Sequence, residues 1–171
     1  SYNYARFGNI LETGYKYQLL TEESQERREI GLFSEDHIPT NLYYMLFKTP
    51  DPIINENSHT LKFPFVKYND YGTSIFFLSP VLFLLFRANF KQKFTKESSL
   101  VILLMLIPIT TYYGIGYKQI GYWHSLDFFP FLLLILIPQV AKTSVIKIRL
   151  LVYAGVAITW FFILQKINVL T

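Results

Sequence analysis

The sequence predicts an all-α membrane protein, with about four transmembrane helices preceded by an extracytoplasmic segment carrying short amphipathic helices. Three observations predict it. The 171 residues are 51% hydrophobic and 18% aromatic but only 16% charged, whereas a soluble domain is typically about 25% charged. Ten of the twelve acids fall within residues 1–70, leaving only Glu97 and Asp127 beyond. Four apolar stretches then follow, at 71–86, 100–113, 126–141 and 150–164. So many aromatics exclude a disordered chain. The absence of cysteine excludes a disulfide scaffold, a thiolate metal site and a Cys nucleophile.

Residues 1–70 form one extracytoplasmic or interfacial unit. It lacks the continuous apolar h-region of a signal peptide. Residues 22–30 (EESQERREI) read as a charged helical run presenting a solvated face. Residues 38–47, rich in Leu, Tyr and Phe after Ile38 and Pro39, read as an amphipathic helix lying on the membrane surface. The run 49–59 (TPDPIINENSH) holds two prolines and several Asn and Asp residues, which predict a turn-rich loop without regular structure. Phe63-Pro64-Phe65 then returns the chain to the bilayer.

Residues 71–171 form the transmembrane region, with spans at about 71–88, 98–114, 124–141 and 149–166. A span needs about 20 largely apolar residues to cross roughly 30 Å of hydrocarbon. The second apolar core is short, but Ser98, Ser99, Thr110 and Thr111 extend it without adding charge. A soluble bundle would keep a polar face on each helix, and neither 101–106 nor 128–137 has one. Pro80, Pro108, Pro130 and Pro138 fall within spans, where neighbouring helices can satisfy the carbonyls they free. The first connection carries Arg87, Lys91, Lys93 and Lys96, and the third Lys142, Lys147 and Arg149, while the second carries only Lys118. Positive residues collect on the cytoplasmic side. Residues 1–70, the 114–124 connection and the C-terminus are therefore expected outside the cytoplasm.

The chain has no P-loop, GxGxxG, GxSxG or HExxH. His37, His59 and His124 share no metal-ligand spacing. The basic residues follow the connections and form no stripe, so nucleic acid is not an expected partner. Two segments carry candidate chemistry. The first, residues 2–18, combines Tyr2, Tyr4, Tyr15 and Tyr17 with Arg6, Asn3, Asn9, Glu12 and Gln18. Aromatic faces and convergent donors suit a sugar, and the guanidinium fork of Arg6 suits a phosphate. An interfacial tyrosine belt with an ordinary surface Arg accounts for the same residues. The second segment, 114–127 (GIGYKQIGYWHSLD), places Lys118, Gln119, His124 and Asp127 beside turn-forming glycines. An acid at membrane depth is a functional candidate. A helix N-terminal carboxylate is the plainer account of Asp127, and the favoured one for Asp70.

Taken together and in order, YNYARFGNILETGYKYQL, IPTNLYYMLFKTPDP, FPF…YGTSIFFLSPVLFLLF and QIGYWHSLDFFPFLLLL resemble a bacterial membrane-protein family over nearly the whole chain. The family is that of the GT-C-type, polyprenyl-phosphate-sugar-dependent glycosyltransferases related to protein O-mannosyltransferases and aminoarabinose transferases, and the match is to its C-terminal part. The resemblance implies an integral protein of the bacterial inner membrane with its site on the extracytoplasmic side. It implies a polyprenyl-phosphate-linked sugar as donor, membrane lipid and upstream transmembrane helices as partners, and no nucleotide. No cofactor is implied, and divalent-metal dependence stays open. The catalytic acid is implied in an earlier outer loop, upstream of this chain, which alone is then expected to be inactive. The late-half residues that carry over are Tyr4, Arg6, Tyr15, Gln119, Gly121 and Asp127. The family pattern near GYWHSLD has an Arg where this sequence has Trp123, with Lys118 and His124 as the neighbouring cations. Arg6, with Lys118, is the expected stabiliser of the departing phosphate. A non-catalytic transport or envelope-assembly scaffold subunit is the alternative. A transporter calls for polar groups at mid-span, and these spans offer only proline, Ser and Thr there.

Overall fold

A computed structural model describes residues 2–167. Its front part begins with short helices, α1 (Tyr2–Phe7), α2 (Glu22–Ile30) and α3 (Ile38–Leu42), the last continuing as a wider π turn through Phe47. The Thr21 side chain caps α2 by accepting from Ser24 N at 3.4 Å, and Glu22 and Glu23 in its first turn complement the helix dipole. Helix α3 does not simply lie on a surface. It buries Asn41 and Met45 against α5 and the 115–128 segment, leaving Tyr43 and Phe47 exposed.

The all-α expectation is corrected by two small sheets. Where 49–59 was expected to be irregular, β1 (Asp51–Ile54) pairs antiparallel with β2 (Leu61–Lys67). Pro52 is tolerated because both strands of a two-stranded ribbon are edges, and a register shift follows it before Ile54. Strand β2, with Phe63, Phe65 and Val66, has the bulky composition that pleated structure favours. The second sheet pairs β3 (Tyr71–Thr73) parallel with β4 (Gln119–Gly121). Gly72 sits there at φ +88, and a Cβ on it would meet the Gly121 carbonyl carbon at 3.0 Å. Only glycine fits.

The expected first span, 71–88, is not one helix. After β3 come α4 (Ile75–Leu78) and a tighter 3-10 turn over Pro80–Arg87. Pro80 has no N–H to continue the ladder, so the chain is re-set at Ser79. The second expected span is α5 (Lys93–Thr111), the third α6 (Phe129–Ala141) and the fourth α7 (Val145–Lys166). At 1.5 Å per residue these run about 28, 20 and 33 Å. Helices α5 and α7 are long and apolar enough to cross a membrane. Among the described residues these two helices meet that length, while α6 and the broken 75–87 segment are shorter. Residues 168–171, whose extracytoplasmic placement the charge pattern predicts, lie outside the described residues.

Two apolar clusters hold these elements together. One joins Met45, Ile115, Tyr122 and Phe128, and the other Ile75, Leu82, Leu84 and Leu136. Helix α7 approaches the Ser79 break closely: a Cβ on Gly155 would lie 2.8 Å from the Leu78 carbonyl oxygen. The outward faces stay apolar and open, with Leu103, Leu104 and Ile107 on α5 and Ile146, Leu150 and Tyr153 on α7 all exposed.

Candidate functional site

Helices α6 and α7 carry the chain away from β4 and back again. Where α6 ends, Arg87 Nη1 donates to Thr143 Oγ1 at 3.4 Å, joining the first and third basic connections at one end of the molecule. At the other end Gln165 of α7 meets the hairpin: its Nε2 donates to the Val66 carbonyl at 2.7 Å, and its Oε1 accepts from Tyr68 N at 3.1 Å. Lys166 Nζ donates to the Lys118 carbonyl at 2.6 Å. The hairpin, β3, β4 and α2 therefore gather at the end opposite the basic connections.

Buried amides fasten this end. Helix α5 stops at Thr111, leaving carbonyls without intrahelical partners. Asn41 Nδ2 donates to two of them, Thr110 O and Tyr112 O, each at 2.7 Å, and its Oδ1 accepts from the Tyr122 hydroxyl at 3.2 Å. Burial pushes the Tyr122 phenol well above its usual pKa, keeping that donor protonated.

Between these elements lies a cleft of about 720 Å³. Glu23, Asp51 and Asp70 bring carboxylates to it, and Lys62, Lys67 and Asn69 bring donors. Phe63, Tyr68, Tyr71 and Tyr117 supply flat walls, with the Tyr71 and Tyr117 rings 5.7 Å apart. Asp51 accepts from Asn69 Nδ2 at 2.7 Å and pairs with Lys48. Burial pushes its carboxyl up, but the bonds from Asn69 and Lys48 outweigh this and hold it below the usual carboxylate range. Glu23 accepts from the Tyr71 hydroxyl. Asp70 is half-buried and sits between strands, not at a helix start: the next helix begins at Ile75 with Ser74 as its cap. A helix-dipole account of Asp70 therefore fails. Among the described residues no three His, Asp or Glu side chains converge as a metal site. Carboxylate acceptors, exposed cationic donors and aromatic faces together suit a polyhydroxylated ring bearing an anionic group.

Tyr4, Arg6, Tyr15, Lys118, Gln119, Gly121, His124 and Asp127, the candidates from the sequence, do not line this cleft. Arg6 and Tyr4 sit on α1, which buries nothing. Arg6 Nη1 donates to the Tyr2 hydroxyl at 3.0 Å, and its guanidinium lies 5.2 Å from the Phe7 ring centre. Tyr15 is exposed, and the neighbouring Gln18 Oε1 accepts from the Tyr113 hydroxyl at 3.3 Å. Lys118 is exposed at the rim beside Tyr117, its Nζ 5.8 Å from that ring. Gln119 is buried with its amide spent internally: Nε2 donates to Tyr71 O at 2.7 Å and Ile115 O at 3.0 Å, and Oε1 accepts from Trp123 N at 3.2 Å. His124 is packed among Tyr112, Tyr122 and Trp123. Asp127 is exposed just before α6. Gln119 and Lys118 adjoin the cleft-lining Tyr71 and Tyr117, and among the described residues the others make no contact that places them at the cleft.

The sequence pattern does not mark Asp51, Lys62, Lys67 or Tyr117, and it places Arg27 in a run that reads as a solvated face. In the structure Arg27 is half-buried, its Nε donating to the Tyr113 carbonyl at 2.7 Å across 86 positions of sequence. No local signal announces such a bond. Comparison with protein-family models, with curated proteins and with solved structures finds no match, so the functional reading rests on the geometry and on the sequence motifs.

Proposed function

We propose that this chain is part of an integral membrane glycosyltransferase of GT-C type, moving a sugar from a polyprenyl-phosphate donor to an envelope acceptor. The proposed setting is the extracytoplasmic face of a bacterial inner membrane. The observation that carries the reading is the aromatic, charge-lined cleft where α7 ends, opposite the basic connections. Only 17% of the apolar stretch of α5 and 11% of that of α7 is buried, whereas a globular core helix is mostly covered. Those faces are suited to lipid or to further transmembrane helices. Segments 75–87 and 129–141 join α5 and α7 as the shorter members of the proposed four spans, with the positive connections inside.

The chemistry is a displacement at the sugar's anomeric carbon. The acceptor oxygen forms the new bond, and the carbon–oxygen bond to phosphate breaks, its electron pair leaving with the phosphate. The acceptor proton goes to a base, which the motif resemblance puts in an earlier outer loop. The residues of this chain bind and orient. Tyr68 and Tyr117 supply walls for the sugar, Asp70 accepts from its hydroxyls, and Lys62 and Lys67 balance the departing phosphate. Lys118, beside Tyr117, is a rim cation of the same proposal, whereas Arg6 on α1 lies outside the cleft lining.

The test is sugar transfer from a polyprenyl-phosphate donor in membranes holding the complete protein. Asp70→Asn and Tyr117→Ala are expected to lower kcat/KM by about tenfold or more, the worth of one or two oriented contacts. Unchanged transfer in both variants refutes the assignment of the cleft.

A further inference from the structure

A second cavity of about 240 Å³ adjoins the cleft, sharing Glu23 and Tyr71 with it, and is also lined by Arg27, Thr40, Tyr44 and Tyr113. Arg27 comes from the last turn of α2. Its Nε bond to the Tyr113 carbonyl fixes the guanidinium plane, while its Nη2 is buried without a hydrogen-bond partner among the described residues. A guanidinium keeps its charge at any ordinary pH, and a buried charged donor left unpaired is costly. Glu23, four residues earlier on the same helix, does not relieve it. Its carboxylate accepts from the Tyr71 hydroxyl, and among the described residues it forms no ion pair with Arg27. The remaining polar walls are hydroxyls. Burial pushes the Tyr44 phenol above its usual pKa, so it stays a donor.

We propose that this cavity is an oxyanion site that takes a phosphate-type group on Arg27 Nη2, with the Thr40 and Tyr44 hydroxyls as its neutral walls. A guanidinium edge with one nitrogen already anchored presents its free nitrogen in a fixed direction, which is the geometry that oxyanion recognition uses. The group can arrive as free phosphate or on a lipid headgroup, and both share this chemistry. The site stands apart from the transferase reading, because occupancy is measured without turnover.

The test is calorimetric titration of the detergent-solubilised complete protein with inorganic phosphate, and with phosphatidic acid against diacylglycerol in micelles. Saturable binding of phosphate or of phosphatidic acid, with diacylglycerol silent, is expected. Binding of both ligands assigns a free oxyanion, and binding of phosphatidic acid alone assigns a headgroup. Arg27→Gln is expected to weaken binding about 10- to 100-fold, the worth of a charge-assisted bond. Glu23→Gln, at an exposed position, removes the nearest like charge and is expected to tighten it. Absence of saturable binding, unchanged affinity in Arg27→Gln, or weaker binding in Glu23→Gln overturns the proposal.

Discussion

Replacing Asn41 with alanine tests how the site end is held together. The side chain is fully buried and makes three hydrogen bonds, two to the orphan carbonyls that end α5 and one from Tyr122. Each such bond contributes about 1 kcal/mol net, and the Tyr122 hydroxyl, on a residue only 1% exposed, is left without a partner at a further cost of about 1–2 kcal/mol. The expected loss is about 4 kcal/mol, at the upper end of what single substitutions do. For a chain of this size that is a fall of about 10 °C or more in Tm. Near-ultraviolet circular dichroism in detergent follows the melt, with the more exposed Thr111→Ala as a control expected within about 0.5 kcal/mol of the parent. If Asn41→Ala melts with the control, Asn41 does not join α3 to the end of α5 and the reasoning fails.

Three further predictions follow from other contacts. Asp51 has a folded pKa below its ordinary 3.8, so its stabilisation is present above that ordinary value and is lost as pH falls through the lower folded one. Asp51→Asn should flatten this acid limb in a pH series of melts, and an unchanged limb contradicts the pairing with Asn69 and Lys48. Gly155→Ala places a methyl 2.8 Å from the Leu78 carbonyl oxygen, an overpacking that should cost about 1–3 kcal/mol; a neutral melt would deny the close approach. The chain has no cysteine, so a thiol introduced into it, mapped by peptide, reports the sidedness of its own position. A membrane-impermeant maleimide added to intact cells should label Asn57→Cys at the hairpin tip and spare Lys91→Cys, and labelling of Lys91→Cys inverts the proposed orientation.

Much of the helical framework is legible in the sequence, because apolar runs such as 101–106 and 128–137 lack any polar face and α5 and α6 cover them. The break at Ser79–Pro80 is less legible: in lipid a proline can be absorbed into a continuous span, and only Gly72, Ser79 and the close contact of Gly155 with Leu78 show that here it is not. Prolines also conceal the hairpin, since Pro52 argues against a central strand but not against an edge. The candidate site is the least legible part. Gln119 has the composition of a ligand-binding residue, yet all its hydrogen bonds close on Tyr71, Ile115 and Trp123. Arg27 sits in a run of charges that reads as solvated, and only a partner 86 positions away turns it inward. The Gln165 bonds to Val66 and Tyr68 span nearly 100 positions. Local pattern shows which segments are polar but not which polar groups are already satisfied.

Photo-crosslinking with a polyprenyl-phosphate sugar that carries a photoreactive group on the sugar tests the central claim most directly. After irradiation of membranes holding the complete protein, peptide mapping should find the label on residues 62–71 and at Tyr117, which line the cleft. Excess unlabelled donor should remove it. Label confined to residues 2–18, or label that unlabelled donor does not displace, would contradict the claim that this cleft holds the donor sugar.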